Sequence, residues 1–350
     1  MPADPAPSST TMRAVLLEAP GGPERLVPGE APVPALKPGH VRVRIAASAV
    51  NPVDTKIRAG LPIAPADPAI LGCDLAGTVE AVGEGVTDFA VGDAVYGCAG
   101  GVKGQGGTLA DYIVADARLL APRPRSLSMR EAAALPLVAI TAVDAFERAG
   151  LAAGEHVLIH GGAGGVGHVA IQLAKARGAR VAATASSAEK AALVRELGAD
   201  EAILYREEAV ADYVARLTGG RGFDLVFDTV GGANLVNSFA ATRLEGRVAT
   251  TSARATLDLS LLHGRALSLH AVFMLLPMLT GEGRERHGRI LRELAALVDA
   301  GTVRPLLDPH RFTLAQAAEA HRLLESGAAV GKIVVDVAEG LERTSRGEDG

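Results

Sequence analysis

The sequence contains no tryptophan, two cysteines and few aromatic residues, which make up 3% of its 350 positions. Two cysteines cannot build a disulfide scaffold, and they suit a protein of the reducing cytoplasm. Few aromatic side chains are available for stacking on nucleic-acid bases. The net charge is −5 and no long basic cluster occurs, so we expect no nucleic-acid partner.

Long apolar runs are also missing. The longest candidate, LSLHAVFMLLPMLTG, contains His270 and Pro277 and is shorter than the roughly 20 residues that cross a bilayer. The N-terminal MPADPAPSSTTM has neither the basic region nor the apolar core of a signal peptide. We therefore expect a cytoplasmic protein without a membrane partner, with a disordered leader at 1–11 and a disordered tail at 339–350.

The pattern of the sequence changes near Pro136. Before it, alternating segments such as HVRVRIAASAV and LAGTVEAVG are separated by Gly and Pro, as in a small β-structure. After it, strand-like HVLIHG and FDLVFDTVG alternate with the helical patterns VGHVAIQLAKARG and NLVNSFAATRLEG, which predicts a parallel sheet covered by helices. We predict two domains, 12–135 with 275–338 and 136–274, because the last helices are expected to cover the first domain.

A glycine-rich loop is the most informative segment. In HGGAGGVGHVAIQLAKARG, Gly162, Gly164 and Gly167 form the pattern G-x-G-x-x-G between a strand and a helix. The first glycine would permit a tight turn, the second would let a pyrophosphate approach the backbone, and the third would let helix and strand pack closely. Free N–H groups at the helix start would bind the phosphates. The segment predicts a dinucleotide cofactor, and the missing Lys-Ser/Thr pair excludes a P-loop.

The next strand indicates which dinucleotide is bound. A site for NAD usually places Asp or Glu about 20 residues beyond the loop, where it holds the ribose 2′-OH. Here the strand ends VAATASSAEK and has no carboxylate at its end. Ser186 offers a hydroxyl and Lys190 a cation, and both suit a 2′-phosphate. We predict NADPH rather than NADH.

The segments NPVDTKIRAG, LGCDLAGTVEAVG, HGGAGGVGHVAIQLAKARGA and LGADEAI resemble the medium-chain dehydrogenase/reductases, and the resemblance extends over 12–337. Within that superfamily the chain is most similar to the zinc-independent NADPH:quinone oxidoreductases of the zeta-crystallin type. The resemblance implies an α/β fold: a GroES-like β-rich catalytic domain plus a Rossmann domain with a doubly wound parallel sheet. It also implies hydride transfer from NADPH to a small-molecule quinone or enone.

The zinc enzymes of this superfamily hold their metal with an early cysteine, a histidine in a Gly-His-Glu triplet and a third ligand before the Rossmann domain. The matching positions here are Asn51, the triplet Gly72-Cys73-Asp74, and LPLVAITAVDAF, which has no strong ligand. The lobe with four clustered cysteines is also missing. Because a catalytic zinc needs three protein ligands, we predict no metal.

Hydride transfer to a quinone or an enone places negative charge on an oxygen, which a zinc-free site must meet with hydrogen-bond donors. Asn51 and Lys56 are the candidate donors, although Lys56 could instead contact a cofactor phosphate. Asp54 is expected to fix the loop by accepting backbone N–H bonds, and an Asn-Pro turn is the alternative for this segment. Quinone reductases often have tyrosine at the position of Lys56, so substrate preference stays open.

The resemblance implies further cofactor contacts along the chain. They are the loop residues Ala163, Gly164, Gly165 and Val166, the nicotinamide neighbours Thr141, Phe273 and Met274, the strand ends Thr229, Thr251 and Ser252, and Tyr205 and Lys332. These residues join Gly162, Gly167, Ser186 and Lys190, which the sequence patterns already indicate. Lys332 could equally be a surface lysine at the start of a strand.

The sequence is also compatible with other functions. An enoyl-thioester reductase uses the same fold and cofactor, and a redox sensor would bind NADPH without useful turnover. A zinc alcohol dehydrogenase is disfavoured by Asn51. Family members commonly dimerise through an edge strand, for which LSLHAVFM is the candidate here. Since an unpaired apolar edge is an aggregation hazard, we expect a homodimer.

Overall fold

The computed structural model describes residues 10–338, so the predicted tail and most of the predicted leader lie outside the described residues. Within that range the chain forms two compact units. The first unit comprises 10–137, 275–301 and 305–338, and the second comprises 138–274 and 302–304. The domain ranges predicted above stay a prediction.

Fifteen strands occur within residues 10–338. They are β1 (Thr11–Leu17), β2 (Leu26–Pro32), β3 (His40–Val50), β4 (Asp74–Val82), β5 (Ala94–Cys98), β6 (Tyr112–Asp116), β7 (Leu120–Pro122), β8 (His156–His160), β9 (Arg180–Ala185), β10 (Glu201–Leu204), β11 (Phe223–Asp228), β12 (Thr242–Thr250), β13 (Ser268–Ala271), β14 (Phe312–Thr313) and β15 (Ile333–Asp336).

The same part of the chain contains eleven α-helices. They are α1 (Pro52–Arg58), α2 (Met129–Ala133), α3 (Pro136–Ala149), α4 (Gly165–Ala176), α5 (Ala188–Glu196), α6 (Val210–Thr218), α7 (Leu235–Ala241), α8 (Ser260–Gly264), α9 (Leu276–Thr280), α10 (Arg284–Asp299) and α11 (Ala317–Ser326). None of these helices is long and apolar enough to cross a membrane.

The first unit is built on a sheet with β3 at its centre. The strand order is β14-β15-β3-β4-β5-β7, and β6 also pairs with β3; β1 and β2 form a separate ribbon. Val41, Val43 and Ile45 of β3 are buried, and β-branched residues such as these favour strands. Ile333 of β15 pairs with Val50, and Asp74 of β4 pairs with Ala49. This register brings the end of β3 next to the starts of β4 and β15.

The second unit contains a six-stranded sheet in which every strand is parallel to its neighbours. The order β10-β9-β8-β11-β12-β13 has the 3-2-1-4-5-6 pattern of dinucleotide-binding sheets when β8 is counted as the first strand. The predicted fold class is therefore confirmed: an α/β protein with a β-rich GroES-like part and a Rossmann-like sheet.

One expected helix is shorter than its sequence pattern indicated. The segment NLVNSFAATRLEG was expected to be helical throughout, but α7 ends at Ala241 and Thr242 begins β12. Thr242 donates from its hydroxyl to the Ser238 carbonyl at 2.6 Å, which closes the helix end. Glu245 then adopts a left-handed conformation with φ of 56°, which no helix interior accommodates.

Candidate active site

Five buried polar residues of the first unit lie together where β3 ends and β4 and β15 begin. They are Asn51, Asp54, Cys73, Asp74 and Lys332, and we call them the Asn51 cluster. Each of the five is at most 3% exposed. The register of the three strands explains the grouping, because residues at paired strand ends must be neighbours. Two of the five are acidic and one is basic, and such side chains rarely occur fully buried unless they are paired.

Helix α1 starts at this cluster. Asn51 is in an extended conformation before the helix, and Pro52 occupies the first helical position, where its missing N–H costs nothing. The backbone N–H of Asn51 donates to the Asp54 carboxylate at 2.8 Å. Asp54 thus makes the kind of backbone bond expected for it, but the segment forms a helix start rather than an isolated Asn-Pro turn.

The Lys332 ammonium is the positive charge of the cluster. It donates to the Asn51 side-chain oxygen, to the Val50 carbonyl at 3.2 Å and to the Asp74 carboxylate at 3.4 Å. Three acceptors account for its three hydrogens. The alternative that Lys332 is a surface lysine is wrong, because the side chain is 3% exposed. These bonds leave no N–H of Lys332 for the expected cofactor contact.

Asp74 is the negative counterpart of Lys332. One of its oxygens accepts from the Leu137 backbone N–H at 2.8 Å, at the start of α3. The other accepts from the Asn51 amide at 2.9 Å, and that amide also donates to the Ala49 carbonyl at 3.4 Å. Both amide hydrogens of Asn51 therefore have protein acceptors. In this arrangement Asn51 positions its neighbours and has no hydrogen free for a substrate oxygen.

Burial controls the ionisation of the remaining groups. It raises the pKa of Asp54 from 3.8 to about 6, against the opposing backbone hydrogen bond from Asn51. The Cys73 thiol donates to Asp54 at 3.3 Å. A hydrogen bond with Cys98 and burial both raise the pKa of Cys73 well above its ordinary value. Cys73 is therefore a neutral buried thiol rather than a reactive thiolate.

The residues of the Asn51 cluster do not fit a zinc ion. The oxygens of Asn51 and Asp74 already face the Lys332 ammonium, and its positive charge would repel a second cation. No group of three or more His, Cys, Asp or Glu side chains that could hold a metal occurs among residues 10–338.

In the second unit, the glycine loop connects β8 to α4. The tight turn is made by Gly161, whose φ is 71°, one residue before the glycine to which the sequence pattern assigned it. A side chain at Gly162 would lie 2.9 Å from Ala183 and Val194, and one at Gly167 would lie 2.1 Å from the Gly161 carbonyl oxygen. These glycines therefore serve close packing of loop, strand and helix. Gly164 caps α4, whose first N–H groups are available to an anion.

Several other predicted residues follow the carboxyl ends of the parallel strands. Ser186 follows β9, Thr229 follows β11, and Thr251 with Ser252 follow β12. The Thr229 hydroxyl donates to the His160 carbonyl at 2.6 Å, next to the glycine loop. Carboxyl ends of parallel strands share one edge of the sheet, and open α/β sheets bind ligands there.

The remaining predicted residues differ in their exposure. Tyr205, after β10, and Phe273, after β13, are exposed, whereas Met274 and Thr141 are buried. Lys56 is exposed on α1 and takes no part in the Asn51 cluster.

The sequence reasoning did not single out Asp228, at the end of β11. Its carboxylate accepts from the backbone N–H groups of Val230 and Gly231 at 2.9 and 2.8 Å, and from the Ser238 hydroxyl at 2.8 Å. These bonds shape the loop that follows the carboxyl end of β11. The available signal was FDTVGG, an aspartate at a strand end followed by paired glycines.

Two family models match the chain. Residues 37–125 match the alcohol dehydrogenase GroES-like domain, and 197–335 match the family described as zinc-binding dehydrogenase. Together with the parallel sheet and its glycine loop, these matches define a pyridine nucleotide-dependent oxidoreductase of the medium-chain dehydrogenase/reductase superfamily.

Individual relatives narrow this class. The chain is 33% identical to the quinone oxidoreductase of Rattus norvegicus over 93% of its own length and 97% of the relative. It is 34% identical to the NADPH-dependent alkenal/one oxidoreductase of Arabidopsis thaliana, over 87% of this chain and 73% of that one. An alcohol dehydrogenase superfamily protein from Novosphingobium aromaticivorans is 44% identical, with a TM-score of 0.88 over 93% of this chain and 100% of that structure. The chain belongs to the quinone oxidoreductase family.

The buried ion pair leads to a stability prediction. Replacing Lys332 by Met should destabilise the fold by about 3–5 kcal/mol, because the charge of Asp74 would stay buried without its partner. The double variant Asp74→Asn/Lys332→Met should lose less than the sum of the two single changes. Urea unfolding measures both effects. Lys56→Met is the control and should cost less than about 0.5 kcal/mol; an equally small loss in Lys332→Met would contradict the assignment.

The raised pKa of Asp54 predicts a pH dependence of stability. Since the folded state binds this proton more tightly than the unfolded chain, the contribution is complete below pH 3.8 and is lost as the pH rises through about 6. We expect the stability of the wild type relative to Asp54→Asn to fall by about 3 kcal/mol across this range. Urea unfolding between pH 4 and 7.5 tests it. The exposed Asp88→Asn is the control, and parallel curves for wild type and Asp54→Asn would refute the prediction.

Proposed function

We propose that the protein transfers hydride from NADPH to quinones or to α,β-unsaturated carbonyl compounds, and that it does so without zinc. The observation that carries the proposal is the carboxyl edge of the second unit's sheet. There, a glycine loop leads into a helix start. The end of β9, where an NAD site would have a carboxylate, is followed by Ser186, and Lys190 lies in the first turn of α5. The names of the quinone and alkenal/one oxidoreductase relatives support the substrate class.

The residues of the loop fit a dinucleotide. Gly162 and Gly167 let the loop pack closely against strand and helix. Gly164 caps α4, whose first N–H groups would bind a pyrophosphate. Thr229 and Thr251 line the neighbouring strand ends, and the hydroxyl of Thr251 donates to the Thr229 carbonyl at 3.3 Å. When bound, NADPH supplies the hydride.

The chain must stabilise the negative charge that develops on the substrate oxygen. Lys56 is our candidate for this donor, because it is exposed and has no ion pair within residues 10–338. Asn51 and Asp54 would act on it indirectly by fixing the first turn of α1, two residues before Lys56. A proton then completes the reduction, giving a hydroquinone from a quinone or a saturated carbonyl compound from an enone.

An activity panel tests the proposal. Purified protein is mixed with NADPH or NADH and with quinones, enones and enoyl thioesters, and the absorbance of the reduced nicotinamide is followed. We expect turnover of quinones or enones, faster with NADPH and unaffected by a chelator. Exclusive use of enoyl thioesters, binding of NADPH without turnover, or a preference for NADH would each overturn the proposal.

Lys56→Met should lower kcat about tenfold or more in this assay, as the loss of a charge-stabilising donor does. The exposed Lys37→Met is the control and should leave kcat unchanged. A raised KM for NADPH with unchanged kcat would assign Lys56 to a cofactor phosphate instead.

We also propose that the protein is a homodimer joined through β13. Within residues 10–338 this strand pairs only with β12, so its other edge is open. Leu269 of β13 is 38% exposed, and Leu259, Leu261 and Phe273 nearby in the sequence are 40–51% exposed. An open edge flanked by exposed apolar side chains suits pairing with a second copy about a two-fold axis.

Light scattering after size-exclusion chromatography tests the dimer. The wild type should elute as a dimer. Leu269→Lys would place two like charges near the two-fold axis of the dimer, and it should raise the dissociation constant of the dimer at least about tenfold. Val91→Lys exchanges an apolar side chain of the first unit that is 66% exposed and should leave the dimer intact. A monomeric wild type, or equal effects of both substitutions, would refute this interface.

A further inference from the structure

Arg206 is an exposed arginine next to the predicted nucleotide site. Arg206 follows Tyr205, and its guanidinium carbon lies 5.7 Å from the centre of the Tyr205 ring. Tyr205 is fixed to the neighbouring strand end because its backbone N–H donates to the Ala185 carbonyl at 3.4 Å. Arg206 therefore follows the carboxyl end of β10, beside the carboxyl end of β9 that Ser186 follows.

Some basic residues of this unit are ion-paired, whereas Arg206 has no ion pair within residues 10–338. Arg216 is bonded to Glu208, and Lys175 to Asp200. In the described part of the chain, Arg206 and Lys190 make no ion pair. The Ser186 hydroxyl likewise makes no hydrogen bond there. Two cations and a hydroxyl without acceptors in that part of the chain thus follow the carboxyl ends of β9 and β10: Ser186 directly after β9, Lys190 in the first turn of α5, and Arg206 after β10.

Two acidic side chains lie close in sequence to these donors. Glu189 is fully exposed in the first turn of α5, and the Ser187 hydroxyl bonds to it. Glu207 is exposed and directly follows Arg206. Neither forms an ion pair with Arg206 or Lys190 within residues 10–338, so both cations keep their capacity for an anionic ligand.

We propose that Arg206 is a specificity-determining residue that binds the 2′-phosphate of NADPH together with Ser186 and Lys190; this inference rests on the proposed function. A 2′-phosphate carries nearly two negative charges, and a planar guanidinium binds two of its oxygens at once. Stacking on Tyr205 orients the guanidinium before the nucleotide arrives, which lowers the entropy lost on binding. NADH has no such phosphate and gains nothing from Arg206.

Binding measurements on the full-length protein test this role. Dissociation constants for NADPH and NADH are compared by nicotinamide fluorescence in wild type, Arg206→Gln, Arg206→Lys and Arg221→Gln. Arg221 is the matched control, because it is exposed and makes no ion pair in the described range. It precedes β11 and so lies at the amino ends of the strands, away from the carboxyl ends that Ser186 and Arg206 follow. Adenosine 2′,5′-bisphosphate and adenosine 5′-monophosphate serve as competitors that lack the nicotinamide.

Arg206→Gln should weaken NADPH binding about tenfold, as the loss of a charged hydrogen-bond pair does, and NADH binding less than about twofold. Arg206→Lys should lie between, and the bisphosphate should show the same loss as NADPH. An unchanged ratio of the two affinities, or an equal loss in Arg221→Gln, would overturn the role of Arg206 while leaving NADPH use intact. A wild type that prefers NADH would overturn both this inference and the proposed cofactor.

Discussion

The buried ion pair of Lys332 and Asp74 is the interaction on which the first unit's organisation depends. Both side chains are almost without solvent contact, at 3% and 0% exposure. Burying two charges is costly, so such a pair persists only where further hydrogen bonds satisfy it. Here Asn51, Val50 and the start of α3 supply those bonds. The pair therefore fixes the ends of three strands and the starts of two helices at one point.

The second unit depends on a different constraint, the close approach of backbones at the glycine loop. A single methyl group at Gly167 would meet the Gly161 carbonyl oxygen at 2.1 Å. Charge holds the first site together, whereas the absence of side chains shapes the second. Different substitutions therefore disturb the two sites. The Asn51 cluster is sensitive to the loss of either Lys332 or Asp74, and the glycine loop is sensitive to any added side-chain volume.

Much of the second unit could be predicted from sequence, because strand and helix periods are local and a glycine motif between them is specific. The helix-covered parallel sheet followed from these patterns, whereas the GroES-like and Rossmann domains followed from the family resemblance; the fold class is confirmed. The Asn51 cluster could be predicted only in part. Asn51 and Cys73 were noted by comparison with zinc ligands, but the Lys332 contact joins residues more than 250 positions apart in the sequence. No local pattern signals such a pairing, and the sequence alone left Lys332 between a cofactor contact and the surface. The pairing of β15 and β4 with β3 determines the position of Lys332.

The Lys332 ammonium determines how the Asn51 cluster acquires its positive charge. A metal ion must be captured from the surroundings and is subject to competition from other ligands. The charge of Lys332 is covalently part of the polypeptide and enters the cluster when β15 pairs with β3. The Asn51 cluster thus gains its positive charge when the chain folds, and this charge does not depend on the supply of any ion.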